Sequence, residues 1–437
     1  MRYLLNTLYV LLLIVASPWL IVAAVRQGKY RAGWREKLLG LVPVRSGTAP
    51  CVWIHAVSLG EVSLIASLVR ELRARRPDCE IAISTTTLTG RALAKGRYPE
   101  LCVFYCPLDF SWAVRRAIAR LRPSVLVLAE LELWPNLISE CRRVQVPVAI
   151  VNARLSDRSF RGYGRFEWFA RQLLSMVDVI AAQNELYAQR FRALCAPPEV
   201  VRVTGSLKFD GAETDRGNPA TQELRRLAGF SGEDIVFLAG STQDPEEQLV
   251  LATFKRLVSA HPRLRLVLVP RHPERFSAVA EVLAASGVPW QRRSELENAP
   301  PRPDCRVLLV DRVGELAAWW GTATIAYVGG SMGAREGQNM IEPAAYGAAV
   351  SFGPRTRNFR DVVQVLLSQR AAVVVREQVE LTAFVRRCLE DPAYAADLGQ
   401  RARSVVASQL GATRRTLELI ERLLPEQGVS DTTRNAA

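Results

Sequence analysis

The 437-residue sequence predicts two doubly wound α/β domains preceded by an N-terminal membrane-anchor helix. Three observations predict it. From residue 52 onward, short β-branched runs alternate with segments of helical periodicity, the pattern of parallel sheets with crossover helices. The alternation breaks at DGAETDRGNPATQELRRLAGF, residues 210–230, where Asp, Gly, Asn and Pro mark a boundary. Residues 4–25 carry no charge, which suits a helix needing about 20 apolar residues to cross about 30 Å of hydrocarbon. The expected organisation is an anchor at 1–25, a first domain at 26–212, a linker at 213–232, a second domain at 233–424 and a flexible tail at 425–437.

Behind the apolar run come Arg26, Lys29, Arg31, Arg35 and Lys37, with Glu36 alone opposing them. By the positive-inside rule the bulk of the chain then stays in the cytoplasm. Small residues at 22–24 also fit a cleaved signal peptide, and a helix lying in one leaflet fits the same composition. Eight cysteines without CxxC pairs, beside only three histidines, argue against a metal cage and suit a reducing compartment. The net charge of +14 calls for an anionic partner. No nucleic-acid reading module and no basic stripe with interleaved aromatics occurs, so the expected partner is an anionic lipid or membrane surface and not nucleic acid.

In the first domain, strands are expected at 52–55, 80–84, 102–105, 125–128, 147–151, 179–182 and 200–203. A helix over 61–75 would place Val62, Ile65, Leu68, Val69 and Leu72 on one face. In the second, strands are expected at 235–239, 264–269, 307–310, 325–328, 349–352 and 372–374. DPEE at 244–247 reads as an N-cap, Pro at N1 and an acidic first turn. Two such domains bind ligands at the carboxyl ends of their strands, in a cleft between them.

Candidate chemistry is placed by that rule. Glu61, in CVWIHAVSLGE at 51–61, follows the first strand and is a candidate general base; SLGE also fits a capping box. AELELWPN at 129–136 would put Glu130 and Glu132 on one face if the strand continued. Arg154 and Lys208 bring positive charge to the same edge, fit for a phosphorylated substrate or an anionic leaving group. In the second domain, Gly240, Ser241 and Thr242 precede a helix start where a phosphate can approach, and Arg271 and His272 follow the next strand. Asn339 and Glu342 fit either a cap or a grip on ribose hydroxyls. No DxD pair is present, so a metal-bridged donor is not expected.

HAVSLGE at 55–61, AELELWPN at 129–136, NARLS at 152–156, AAQNE at 181–185, VTGSLKFD at 203–210, VPRHPERF at 269–276 and GEL at 314–316 stand in one order. Together they resemble the 3-deoxy-D-manno-octulosonic acid (Kdo) transferases of lipopolysaccharide synthesis. The resemblance implies a GT-B fold of two Rossmann-like domains facing a cleft. It implies transfer of Kdo from CMP-Kdo to lipid IVA, without cofactor or metal, at the cytoplasmic face of the inner membrane. Carried over, Glu61 is the general base, and Glu130 and Lys208 support the transition state. Arg271, His272, the turn Val313, Gly314 and Glu315, and the segment Asn339, Met340, Ile341 and Glu342 map onto CMP binding. Two positions depart from the family pattern: Gln243 and Gln338 stand where histidines are common. Two alternatives remain open: another GT-B enzyme such as a nucleotide-sugar epimerase, and a non-catalytic membrane-tethered binder of anionic lipid.

Overall fold

The computed structural model describes residues 2–27 and 32–426, and these form two compact units. Unit 1 comprises Met1–Gly211 together with Leu410–Ala437, and unit 2 comprises Ala212–Gln409. Lys29, Arg31 and the expected tail beyond residue 426 lie outside the described residues.

Unit 1 is built on a parallel sheet of β1 (Cys51–His55), β2 (Glu80–Thr85), β3 (Cys102–Tyr105), β4 (Val125–Ala129), β5 (Val148–Ala153), β6 (Val179–Ala182) and β7 (Val201–Val203). Their spatial order is β3-β2-β1-β4-β5-β6-β7, reversing direction between β1 and β4. The central strands are buried along their whole length, and mostly apolar, because helices cover both faces. Unit 2 repeats the plan with β8 (Ile235–Thr242), β9 (Leu264–Pro270), β10 (Trp290–Arg292), β11 (Val307–Leu309), β12 (Ile325–Val328), β13 (Ala349–Phe352) and β14 (Val373–Val374). Its order is β10-β11-β9-β8-β12-β13-β14, with the reversal between β8 and β12. In both units that reversal opens a crevice beyond the strand ends, the usual ligand position in such sheets.

Every expected strand is present, with ends shifted by a few residues. The edge strand β10 was not foreseen, since WQR is too short to show alternation. The helix expected over 61–75 is two helices, Leu59–Leu64 and Ala66–Arg75, broken at Ile65. In unit 2 the helix expected to take Pro245 at N1 starts at Glu246, with Pro245 at the cap.

Domain boundaries differ from expectation in two places. The stretch 213–232 is not a bare linker: it holds the helix Pro219–Leu227, capped by the Asn218 side chain, which accepts the Thr221 N–H at 2.9 Å. Arg216 fixes it to unit 2 by donating to the carbonyls of Tyr346, Gly321 and Ala323 at 2.8, 3.0 and 2.7 Å. The last helix, Ala412–Glu421, belongs to unit 1, where Leu417, Ile420 and Leu424 join Val52, Ile54, Leu68 and Leu72 in one core cluster. Asp210 receives it, accepting from the N–H of Gly411 at 2.7 Å and that of Thr413. Periodicity shows which face of a helix is apolar, but not which sheet will cover it.

The expected membrane-crossing anchor also differs. Arg2–Gln27 is helical, with Pro18 inside, yet no helix among the described residues is long and apolar enough to cross a membrane. Its first turns are tied to unit 1 by polar contacts. Asn6 donates to Ser111 Oγ at 2.7 Å and accepts from the Ser111 N–H at 3.1 Å; Tyr9 donates to Asp109 Oδ2 at 3.1 Å. Leu8, Leu12, Val15, Trp19 and Val22 form an exposed stripe at helical spacing on the other side.

Candidate active site

The carboxyl edge of the first sheet gathers three carboxylates. β1 and β4 are parallel neighbours, His55 beside Leu128, so the turns that follow them meet. Ser58 caps the helix Leu59–Leu64, its Oγ accepting the Glu61 N–H at 3.4 Å. Glu61 answers with both oxygens: Oε2 accepts the Val57 N–H at 2.8 Å and Oε1 the Ser58 hydroxyl at 3.0 Å. The capping role is thus real, and the side chain remains half-buried. Burial raises its pKa, opposed by the Val57 and Ser58 donors and reinforced by the charge of Glu130.

Glu130 and Glu132 do not share the face of a continued strand. β4 ends at Ala129, and Glu130 turns into the left-handed region at φ 59° while its N–H bonds the Val151 carbonyl at 2.9 Å. The turn nevertheless keeps both residues within electrostatic reach of Glu61. Glu132 accepts the Trp134 indole N–H at 2.9 Å. Burial first, then the charge of Glu61, pushes its pKa up to about 7, with Glu130 adding to the rise and the Trp134 bond opposing it. Tyr163, from the helix Asp157–Gly164, lies within electrostatic reach of the same carboxylate, and burial followed by the Glu132 charge raises its phenol.

The linkage has a definite sign. The raised Glu132 contributes stability that is full below its ordinary 4.5 and is lost as pH rises through about 7. Glu132→Gln stays neutral, so its melting temperature should gain on the parent by roughly 2–4 °C between pH 5 and 8. A melting-temperature difference that stays flat over that range rejects the assignment.

Lys208 is held at the same edge through β5. Asn152, buried and left-handed at φ 53°, accepts the Leu207 N–H on Oδ1 at 3.0 Å, and its carbonyl accepts Gln183 Nε2 at 2.9 Å. Its own Nδ2 is buried without a hydrogen-bond partner among the described residues, as is Thr204 Oγ1. Lys208 is half-exposed, its N–H 3.5 Å from Ser206 Oγ. Sequence reasoning used the NARLS stretch for Arg154; the structural work falls to Asn152, a polar residue at the end of an apolar strand.

In unit 2, β8 runs on to Thr242, so Gly240, Ser241 and Thr242 are strand and not a loose phosphate turn. Thr242 and Trp320 are buried, with Thr242 Oγ1 lacking a hydrogen-bond partner among the described residues. Arg271 is exposed at the end of β9, its N–H on the Thr242 carbonyl at 3.0 Å. Its charge reaches Glu342, whose pKa burial raises while Asn339 and Trp320, then Arg271, lower it. Arg271, Trp320, Asn339 and Glu342 are thus brought together. His272 sits half-buried before a short turn of 3₁₀ helix.

The remaining expected donor contacts divide. Asn339 Nδ2 donates to Glu342 Oε1 at 3.0 Å, while its Oδ1 accepts the Ile341 N–H at 3.0 Å, a cap-like bond at the start of the helix Ile341–Ala345. Met340 and Ile341 are buried in the core and offer a ligand only backbone. Glu315 is taken by Arg293 at 3.0 and 2.9 Å and by the Trp319 indole at 3.1 Å, leaving Val313, 77% exposed, and Gly314, φ 93°, as the open part of that turn.

Glu246 was not singled out from the sequence. Buried at the start of the helix Glu246–Leu257, it accepts Tyr327 OH, the Ser331 N–H and the Met332 N–H on Oε1 at 3.0, 2.9 and 3.0 Å. Its Oε2 accepts the Gly330 N–H at 2.6 Å and the Gln243 N–H at 3.0 Å. Gly329 makes room, for a Cβ there would stand 2.8 Å from Glu246 Oε2. The two positions that depart from the family pattern meet here: a Cβ on Gly330 would stand 3.2 Å from Gln338 Nε2 and 3.4 Å from Gln243 Nε2. Two glutamates in a first helical turn normally read as dipole complements, which hid this role.

Comparison with known proteins follows the same lines. Residues 32–211 match the family model described as 3-deoxy-D-manno-octulosonic-acid transferase (kdotransferase). A 3-deoxy-D-manno-octulosonic acid transferase of Bordetella pertussis is 36% identical over 419 residues, covering 93% of this chain and 92% of that one. One from Haemophilus influenzae is 32% identical over 424 residues, covering 94% and 97%. Among solved structures, a UDP-GlcNAc 2-epimerase from Neisseria meningitidis aligns with a TM-score of 0.57 at 13% identity, over 85% of this chain and 100% of that one, a likeness of fold alone. Two parallel-sheet α/β units of GT-B type, with relatives matched over nearly their whole length, place this chain in the family of Kdo transferases, which are glycosyltransferases.

Proposed function

We propose that the chain transfers Kdo from CMP-Kdo to the glucosamine of lipid IVA by an inverting single displacement, with Glu61 as general base. The observation that carries this reading is a Glu61 carboxylate made more basic by burial at the carboxyl edge of the first sheet. A base whose pKa lies nearer the working pH is the better proton acceptor. The acceptor hydroxyl oxygen bonds to the anomeric carbon of Kdo and gives its proton to Glu61. The bond from that carbon to the phosphate oxygen breaks, and its electrons leave with CMP. Glu130 and Lys208 are assigned to the charge that develops in transit. Arg271, His272, the turn at Val313 and Gly314, and Asn339 with Glu342 are assigned to CMP. Cationic side chains and backbone N–H groups then carry the leaving phosphate, and the reading needs no metal.

The N-terminal helix is assigned to the cytoplasmic face of the inner membrane, lying on the surface with its Leu8, Leu12, Val15, Trp19 and Val22 stripe toward lipid. Its polar side reaches Asn136, whose Nδ2 donates to Asn6 Oδ1 at 3.3 Å just after the AELELWPN carboxylates. A cavity of about 590 Å³ between this helix and Ser111–Leu121, lined by Val10, Leu11, Trp112 and Arg115, suits an amphiphilic acceptor. All eight cysteines are free, which agrees with a reducing compartment.

Incubation with CMP-Kdo and detergent-dispersed lipid IVA, followed by mass analysis of the lipid, tests the reading. Kdo should appear on the lipid in step with CMP release. CMP release that does not depend on the lipid overturns it.

A further inference from the structure

The two short helices after β5, Asp157–Gly164 and Glu167–Leu174, have an inner and an outer side. Inside, Phe160 and Tyr163 pack on the core of unit 1, and Ala170, Leu173 and Leu174 are buried. Outside, Phe166 is 63% and Trp168 67% exposed, at the junction between the helices. Arg158, Arg161, Arg165 and Arg171 are all exposed on the same segment. Its two acidic residues are already engaged: Asp157 pairs with Arg190, and Glu167 with Arg171 at 3.0 Å. The net balance of the outer side is therefore cationic, around two large aromatic side chains that stay mostly exposed.

We propose that this helical pair docks on an anionic phospholipid bilayer, with Phe166 and Trp168 seated at the headgroup level and the arginines on lipid phosphates. Trp is enriched at that depth because its ring is apolar and its N–H polar. Juxtamembrane arginines are drawn by the negative surface potential of the leaflet. The placement fits the chemistry, since Tyr163 on the inner side packs on the core of unit 1 and lies within electrostatic reach of Glu132. The N-terminal helix reaches the same sheet edge through Asn6 and Asn136. The pair would thus hold the carboxylate edge against the surface from which the acceptor comes, and in this the inference rests on the reading of the acceptor as a membrane lipid.

The test uses the full chain with vesicles of phosphatidylcholine, with and without phosphatidylglycerol, read by co-sedimentation. F166S/W168S should weaken binding to anionic vesicles at least ~10-fold, from the apolar area no longer buried. R158Q/R165Q should weaken it by a similar factor, on anionic vesicles alone. Because residues 166 and 168 lie on the surface, transfer to detergent-dispersed lipid IVA should keep its kcat, while KM for vesicle-embedded lipid rises. Unchanged vesicle affinity in both variants overturns the proposal. So does a shift in oligomeric state by light scattering with vesicle affinity unchanged, which would assign the patch to self-association. Absence of Kdo transfer by the parent in detergent would fail the catalytic reading, yet the vesicle measurements would still decide the docking.

Discussion

Glu61→Gln should lower the rate of Kdo transfer at least ~10²-fold while leaving CMP binding by unit 2 intact. The substitution is close to isosteric, and its amide oxygen can still accept the Val57 N–H that now meets Glu61 Oε2 at 2.8 Å. The amide NH₂ can in turn donate to the Ser58 hydroxyl, which pairs with Glu61 Oε1 at 3.0 Å in the parent. The helix start survives, and one of three mutually repelling carboxylates is removed, so the melting temperature should hold or rise. Loss of turnover with the fold intact then isolates proton transfer. Glu61→Ala is less clean, because it removes both acceptors from the Val57 and Ser58 donors. Near-parental turnover in the Gln variant would take Glu61 out of the role of base, whatever happened to binding.

The three carboxylates also suggest how their work divides. Glu61 has two donors aimed at it, one a backbone N–H, and both favour its charged form. Glu132 has one neutral indole donor and its pKa is pushed up to about 7, so of the two it is held less firmly in the charged form. Three negative charges at one sheet edge would repel one another; a proton on Glu132 lowers that cost.

Much of this was legible in the chain. Apolar runs such as VLVLA at 125–129 announce central strands, because both of their faces must be covered. The placement of Glu61, Glu130, Lys208 and Arg271 after strands followed from the rule for open α/β sheets. What stayed hidden depends on tertiary partners. Glu130 in the left-handed region cannot be told from a strand residue by alternation. Met340 and Ile341 sit inside a motif that reads as a ligand segment, and only burial reveals them as core. Ala412–Glu421 carries an apolar stripe that either sheet could have covered, and it is Asp210 and the Leu417 neighbours that decide for unit 1. Asn6 and Tyr9 interrupt an apolar run in the sequence, and only the structure shows that they fasten the helix to Ser111 and Asp109.

Glu246→Ala should destabilise unit 2 by about 3–5 kcal/mol. Truncation leaves the N–H groups of Gly330, Ser331, Met332 and Gln243 and the hydroxyl of Tyr327 without their acceptor. A buried unsatisfied donor costs about 1–3 kcal/mol, and partial rearrangement of the loop keeps the sum below the simple total. For a unit of this size the loss corresponds to a fall of roughly 10 °C in its melting temperature. The transition of unit 1 should not move, since every partner of Glu246 lies between Gln243 and Met332. Glu246→Gln should recover little: its NH₂ would face N–H donors where the parent presents an oxygen. CMP affinity should fall with the fold, because the Gly330 turn that Glu246 holds is where Gln243 and Gln338 converge. Calorimetry that finds unit 2 of the Ala variant melting within a degree or two of the parent would show that water or backbone relaxation satisfies those donors, and that the loop does not depend on the carboxylate.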